Sequence, residues 1–369
     1  MPFCISTITL NSLPHISLLN PKRPNPNLFF QQNQTIRSSS SSSSISTKTT
    51  TMSMHTKFDL FTYWTSLISE INVQLDQAIP VKYPEQIYES MRYSVLASGA
   101  KRATPVMCIA SCELFGGSRL AAFPTACALE MVHEASLIHD DLPYMDDDLF
   151  RRGRLSNHTV YGVDMAILAG DALFPLGFQH IVSNTPPGLI PETRLLRVVS
   201  EIARAVGSTG MAAGQFVDLN YSEESLVEFV QEKKFGELSE CSAVCGGLLG
   251  GATDDELETL RRYGRTVGVL YQVVNDVLEF KKEQAEGGGK KNRNSSFAKV
   301  FGIEKAMEKA EELRVKAKKE LDGFEKYGEK VFPLLSFVDY AVDRNFDVVG
   351  DHVENGTLGV KQAGGMSSL

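Results

Sequence analysis

The stretch from Ile138 to Arg154 reads IHDDLPYMDDDLFRRGR and decides how the rest of the chain is interpreted. Asp140 and Asp141 end an apolar helical stripe, Pro143 bends or stops that helix, and three further aspartates and three arginines follow. Carboxylates packed this densely repel one another unless a cation neutralises them. Their oxygens suit Mg²⁺, which completes its octahedron with waters and phosphate oxygens, and arginines suit phosphate as bidentate partners. A solvated acidic–basic loop is the alternative, but it does not explain an aspartate pair placed after an apolar stripe.

A second polar group lies in YQVVNDVLEFK, residues 271–281, where Asn275, Asp276 and Glu279 interrupt an apolar helical run. Positions i and i+4 of a helix share a face, so we expect Asn275 and Glu279 to point in the same direction. Asparagine offers one neutral carbonyl where a carboxylate offers a full charge, so this clamp would hold Mg²⁺ less well than paired aspartates. The pattern leaves three interpretations: a metal clamp, the remains of one, or the end of a helix.

Helical periodicity dominates the body of the chain. Between residues 257 and 277 the apolar side chains follow an i, i+3, i+7 stripe, and Thr253 with Glu256 forms a capping box at its start. Similar stripes run through residues 126–142 and 307–324, and no segment shows the alternation typical of a strand. We predict a single all-α domain over residues 58–346, a mobile loop at 286–296 and a flexible tail at 347–369.

Composition limits the class of protein. The chain has 369 residues, is 43% hydrophobic and carries a net charge of −8, which makes nucleic acid an unfavourable partner. No apolar run is long enough to predict a membrane span. Residues 1–53 contain no acid but include a run of seven serines, a composition typical of an organelle transit peptide. A plain disordered tail is the alternative.

Four of the six cysteines form two CxxxC pairs, Cys108 with Cys112 and Cys241 with Cys245. On a helix each pair lies on one face. Zinc sites usually need shorter spacings and four ligands together, and a large chain with reduced thiols does not predict a disulfide framework. From the residues alone, the favoured interpretation is that these cysteines are small side chains that let helices pack closely.

With these motifs placed, the chain resembles the trans-prenyltransferases and, within them, plant geranylgeranyl diphosphate synthases. The matching segments occur in order from about residue 58 to 345: GAKRATPVMCIASCE, EMVHEASLIHDDLPYMDDD, RRGRLSNHTVYG, AILAGDALF, GQFVDL and YQVVNDVLE. The resemblance implies an all-α isoprenoid-synthase bundle around a deep apolar cavity. It also implies Mg²⁺ that bridges aspartates to an allylic diphosphate, which leaves before isopentenyl diphosphate attacks the allylic cation.

The resemblance assigns roles to individual residues. It implies that Asp140, Asp141 and Asp146 hold the metal. It implies diphosphate contacts at Lys101, Arg102, His133, Arg151, Arg152, Lys234 and Gln215.

The departures from the family pattern concentrate at the diphosphate site. Thr104 replaces an arginine, Phe235 a threonine, and Asn294 stands where a lysine is expected. The second motif, DDxxD in the family, is Asn275, Asp276 and Glu279. One charge-assisted hydrogen bond is worth about 1.5–3 kcal/mol, so several losses together would slow the reaction by orders of magnitude. We therefore assign no catalytic residue with certainty.

One plant branch of the family fits this combination, the small subunits of heterodimeric geranyl/geranylgeranyl diphosphate synthases that keep the first aspartate motif. The branch implies a partner, a geranylgeranyl diphosphate synthase large subunit, in a heterodimer or larger assembly of the chloroplast stroma. It also implies that Cys108, Cys112, Cys241 and Cys245 support association with that partner. We therefore expect a regulatory subunit that is inactive or weakly active alone and changes its partner's product length or activity.

Two other functions remain open at this stage. One is an active homodimeric geranylgeranyl diphosphate synthase with a degenerate second motif. The other is a protein that binds prenyl diphosphates or metal without a synthase partner.

Overall fold

The computed structural model describes residues 58–221, 223–286 and 296–344, which lie in one compact unit. The predicted leader 1–53, most of the predicted loop 286–296 and the predicted tail 347–369 lie outside these residues. The described residues are almost entirely helical, so the all-α prediction is confirmed.

Fourteen α-helices are found in the described ranges. Their bounds are α1 Leu60–Ala78, α2 Glu85–Val95, α3 Ala103–Leu114, α4 Arg119–Asp140, α5 Asn157–Tyr161, α6 Val163–Asn184, α7 Glu192–Val206, α8 Met211–Asn220, α9 Val227–Gln231, α10 Glu237–Gly250, α11 Asp254–Glu286, α12 Phe297–Phe301, α13 Ile303–Glu320 and α14 Phe332–Asp343. Short 3₁₀ turns cover Glu224–Leu226 and Asp322–Val331, and a π-helical turn covers Glu232–Gly236.

The capping box at the start of α11 forms as predicted. The backbone N–H of Thr253 donates to the Glu256 carboxylate at 2.8 Å, and the N–H of Glu256 donates back to the Thr253 hydroxyl at 3.4 Å. The apolar stripe that follows is buried, because Leu260, Tyr263 and Leu270 are completely inaccessible to solvent. The pattern thus places one face of this 33-residue helix against the core.

The sequence predicted no strands, and this prediction is wrong at one place. Strand β1, Phe150–Arg151, pairs antiparallel with β2, Arg154–Leu155. Arg152 and Gly153 form the turn with φ of 51° and 74°, the left-handed pair that a tight hairpin needs. Two residues are too few for a strand to show alternation in the sequence, but the turn fixes the positions of Arg151 and Arg152.

Helix α4 is the central element of the bundle and packs against α3, α6 and α10. Most of its residues are buried, including Glu130 and Glu134. Among the described helices, α6 is the one that by length and composition is apolar enough to cross a membrane, and a third of its apolar window is buried within the chain. Helix α6 packs along α4 on one face, as a core helix does, and leaves its other face uncovered.

Helices α3 and α10 approach each other closely because glycines face backbone. A Cβ added to Gly246 would lie 2.1 Å from the Cys108 carbonyl oxygen, and one added to Gly250 would lie 2.5 Å from that of Cys112. Such distances are far inside van der Waals contact, so both positions exclude any larger side chain.

We predict that Gly246→Ala destabilises the fold by about 1–3 kcal/mol, because the added methyl forces α3 and α10 apart. Gly323→Ala is the matched control, since a Cβ there meets nothing within 4 Å. Urea unfolding of both variants measures the difference. Equal midpoints for the two variants would contradict the close-packing account.

Candidate functional site

An open cavity of about 470 Å³ lies between α3, α4, α10 and α11, with the β1–β2 hairpin at one side. Five cationic side chains and three carboxylates line it. The cations are Lys101, Arg102, Arg151, Arg152 and Lys234, and the carboxylates are Glu130, Asp140 and Glu279. His133 lines it as well, so the structure brings together six of the seven predicted diphosphate contacts.

The first aspartate motif is divided between the cavity and an ion pair. Asp140 lines the cavity, and its carbonyl accepts a hydrogen bond from the backbone N–H of Asp146 at 2.8 Å, so the two residues are adjacent. Asp141 is 3% exposed and binds the Arg151 guanidinium, whose Nε donates at 3.0 Å. Burial raises the pKa of Asp141 although Arg151 opposes that rise. Asp141 is thus held by an arginine, which the sequence does not predict.

Arg102 is fully engaged by the protein. Its guanidinium donates to Asn72 of α1 at 3.0 Å, to the Val95 carbonyl of α2 at 2.7 Å and to Glu130 of α4 at 2.5 Å. Burial alone would raise the pKa of Glu130, but Arg102, with His133 and Arg152, holds it below its usual value. The predicted diphosphate contact is therefore a buried structural ion pair in this conformation.

Arg152 pairs with a second buried acid of α4. Its Nη2 donates to Glu134 at 2.6 Å, and the Glu134 side chain is 2% exposed. Burial by itself would lower the pKa of Arg152, but Glu134 together with Glu130 raises that pKa above its usual value. His133 stands between the two acids in sequence, and burial lowers the pKa of its imidazole although Glu130 and Glu134 oppose the change.

A third charged group lies on α8 and the π-helical turn. Lys234 donates to Asp218 at 2.7 Å, and both side chains are nearly buried. The second Asp218 oxygen and both polar atoms of the Gln215 amide are buried and find no hydrogen-bond partner among the described residues. Such groups cost free energy unless a ligand or water satisfies them. Gln215 does not line the cavity, so its predicted substrate contact stays a prediction.

The second motif is split across two faces of α11. Asn275 and Glu279 both line the cavity, as their i, i+4 spacing predicts. Asp276 is 3% exposed and accepts hydrogen bonds from the Phe297 backbone N–H at 2.7 Å, Gln272 at 2.7 Å and Gln231 at 3.0 Å. Burial raises the pKa of the Asp276 carboxyl to about 6. Asp276 therefore serves as a cap on the first N–H of α12 and does not face the cavity.

Asn275 has a cationic partner from the end of α14. Arg344 Nη2 donates to the Asn275 side-chain oxygen at 3.0 Å and to the Tyr271 carbonyl at 3.1 Å. The guanidinium also lies 3.6 Å from the centre of the Tyr271 ring, a cation–π arrangement. A positive group thus already occupies the amide oxygen that a metal ion would need.

The residues of the first motif fit a hydrated Mg²⁺, and those of the second do not. Asp140 and Asp146 are joined by a backbone hydrogen bond, and their side chains are carboxylates, the ligand type that Mg²⁺ combines with waters and phosphate oxygens. In the second motif, Asn275 binds Arg344 and Asp276 caps α12, so Glu279 alone remains. Across the described residues no group of three or more His, Cys, Asp or Glu side chains is arranged to hold a metal by itself.

The two CxxxC pairs lie inside the fold. Cys108, Cys112, Cys241 and Cys245 are completely inaccessible to solvent, and the Cys241 and Cys245 sulfurs are 3.7 Å apart. Burial raises the pKa of Cys108 and Cys245 well above the usual thiol value. In the described residues these four side chains are covered by helices of the same chain, and their predicted part in association with a partner stays a prediction.

Sequence reasoning did not identify three residues that shape the site: Glu130, Glu134 and Arg344. A usable signal exists for the first two, since EMVHE places two acids at i and i+4 on an apolar helical stripe. Acids there must be paired to be buried. No local signal connects Arg344 to Asn275, which is far away in sequence.

Comparison with known proteins agrees with this architecture. The family model described as polyprenyl synthetase matches residues 84–327. A protein of Arabidopsis thaliana named heterodimeric geranylgeranyl pyrophosphate synthase small subunit, chloroplastic, is 68% identical over 292 residues, 78% of this chain and 85% of that protein. The Arabidopsis protein named large subunit 1 of the heterodimeric synthase, chloroplastic, is 43% identical over 301 residues, 78% of this chain and 80% of its own length.

Solved structures resemble the chain at lower identity. A crystal structure of an FPP/GFPP synthase from Zymomonas mobilis superposes with a TM-score of 0.68 at 30% identity, covering 77% of this chain and 99% of the other. A putative farnesyl-diphosphate synthase from a Marinomonas species gives 0.65 at 28% identity, covering 78% and 100%. The predicted isoprenoid-synthase-type bundle is thereby confirmed.

We predict that Asp276→Ala lowers the free energy of unfolding by about 1–3 kcal/mol in buffer containing EDTA, because it orphans buried donors. Glu279→Ala, on the exposed side of the same helix, should change it by less than about 0.5 kcal/mol. Urea unfolding measures both. If Asp276 were a metal ligand, its replacement would have no effect in EDTA and would remove only a Mg²⁺-dependent stabilisation.

Proposed function

Since this chain belongs to the polyprenyl synthetase family, we propose that it is the regulatory small subunit of a chloroplast heterodimeric geranylgeranyl diphosphate synthase. Its partner would be a large subunit like the Arabidopsis relative described above. The observation that carries the proposal is the second motif, in which Asn275 holds Arg344 and Asp276 caps α12. A chain without that clamp depends on a partner for prenyl transfer.

We expect weak catalysis by this chain because the positive charge in its cavity is largely compensated. Transfer of an allylic group requires cations that neutralise the departing diphosphate. Four of the five cavity cations are already in ion pairs with carboxylates, and Thr104, Phe235 and Asn275 add no charge. Each missing charge-assisted contact removes about 1.5–3 kcal/mol, so we expect turnover by the chain alone to be lower by orders of magnitude.

The chain keeps the parts needed to bind a prenyl diphosphate. Mg²⁺, the metal we expect from the family, would be held by Asp140 and Asp146 and would supply positive charge for a bound diphosphate. Lys101 lines the cavity, and no ion pair to it is found within the described ranges. Binding without efficient turnover suits a subunit whose occupied state influences a partner.

The uncovered face of α6 supplies a surface for that partner. Leu168 is 52% exposed and Val182 is 62% exposed, and helical spacing places them on one side of this apolar helix. Exposed aliphatic side chains on the uncovered face of an apolar core helix are available for contact with a partner. We infer that the large subunit covers this face, while the buried cysteines act indirectly by fixing how α3 and α10 pack.

Domain organisation and location complete the proposal. Residues 1–53 would be a plastid transit peptide, residues 58–346 the prenyltransferase-like domain, and residues 347–369 a tail. The acid-free, serine-rich composition supports the leader. Both Arabidopsis relatives carry chloroplastic in their names, which supports the same location.

We predict that the full-length chain, given dimethylallyl and isopentenyl diphosphates with Mg²⁺, turns over at least about 100-fold more slowly than a plant large subunit. Mixing the two should change the rate or the product length of the large subunit. Labelled-product analysis measures both. Robust turnover by the chain alone would instead favour an active homodimeric synthase, whose intact first motif is the feature in its favour.

We predict that Leu168→Glu with Val182→Glu weakens capture of the large subunit at least about tenfold, since two charges would be buried at an apolar interface. Val315→Glu with Met307→Glu is the matched control, because these α13 residues are also exposed, at 59% and 55%. Co-purification and sedimentation give the affinity. Equal loss in both double variants would show that α6 is not the contact.

A further inference from the structure

We infer that Glu134 is a positioning residue that competes with diphosphate for Arg152 and so sets how weakly the cavity binds prenyl diphosphates. The inference deepens the proposed function, because it rests on the cavity being a prenyl-diphosphate site. It concerns binding by this chain alone and needs neither a partner nor turnover.

The geometry defines the competition. Arg152 lines the cavity and is 18% exposed, whereas Glu134 is 2% exposed and does not line the cavity. Their contact is 2.6 Å, the length of a charge-assisted hydrogen bond. Arg152 therefore lies between the cavity, where a ligand would bind, and the buried Glu134 carboxylate, which already neutralises the Arg152 charge.

The hairpin leaves Arg152 little freedom to satisfy both. Its φ of 51° belongs to the β1–β2 turn, and a Cβ added to Gly99 would lie in ordinary van der Waals contact with the Arg152 Cβ, at 3.7 Å. The turn thus sets where the Arg152 side chain begins, and its head group bonds to Glu134. A diphosphate that recruits this guanidinium must share it with Glu134, and sharing lowers the net charge that the anion meets.

The other paired arginines do not offer the same control. Arg102 donates to Asn72, Val95 and Glu130 together, so removing one acceptor leaves it held by the others. Arg151 contacts Asp148 as well as Asp141. For Arg152, the structure describes one carboxylate partner within ion-pair distance.

The test measures binding of inorganic diphosphate to the full-length chain by calorimetry in EDTA, so that metal does not contribute. Glu134→Gln keeps the shape and removes the charge, and it should tighten binding about tenfold, equivalent to about 1.4 kcal/mol. Glu134→Asp keeps the charge and should stay within about threefold of the unaltered chain. A merely structural role would not separate these two variants by charge.

A neutral pair guards against misfolding of the single variant. Glu134→Gln with Arg152→Gln replaces the ion pair by two uncharged amides, so the net charge of the pair stays at zero. This double variant should bind diphosphate within about twofold of the unaltered chain. Glu113→Gln is the matched control, since Glu113 pairs with Arg119 outside the cavity, and it should change nothing.

The inference is overturned if Glu134→Gln binds diphosphate no more tightly than the unaltered chain. It is also overturned if the double variant tightens equally, or if it weakens binding more than about tenfold, because Arg152 would then already be engaged. None of these results bears on whether the chain alone turns over substrate or binds a large subunit, which separate assays measure.

Discussion

The buried guanidinium of Arg102 is the interaction on which the rest of the bundle depends. It joins the start of α3 to α1, α2 and α4 through Asn72, Val95 and Glu130. An unpaired charge in this position would be prohibitively costly, so the four segments must meet in one arrangement. That arrangement fixes α4, and α4 in turn carries Asp140 and Glu134 to the cavity.

The ion pairs that stabilise the fold also compensate the positive charge that prenyl transfer would use. A prenyltransferase cavity needs uncompensated positive charge where diphosphate departs. Here Glu130, Glu134, Asp141 and Asp218 supply the compensation from within the protein. The same arginines therefore serve both the stability of the fold and the binding of an anion, and in this structure carboxylates of the protein already compensate their charge.

Local rules predicted a large part of this structure. The stripe in α11, its capping box and the shared face of Asn275 and Glu279 follow from helical geometry alone. Helical geometry also turns Asp276 away from Asn275, but it does not say what Asp276 meets there. The cap on α12 depends on a segment that returns to α11 after a loop, and no local pattern encodes such a return.

By itself the sequence determined the helical class, the family and the residue types gathered at the site, because these depend on periodicity and on ordered motifs. The tertiary structure alone decided which partner each group takes. CxxxC spacing defines one face of a helix, and only folding revealed that α3 and α10 of the same chain cover those faces. Likewise, Arg152 and Glu134 are far enough apart in the chain that only the packing of the hairpin against α4 pairs them. The spacing of residues in a helix determines which way a side chain points, whereas burial and charge in the folded chain determine which group it contacts.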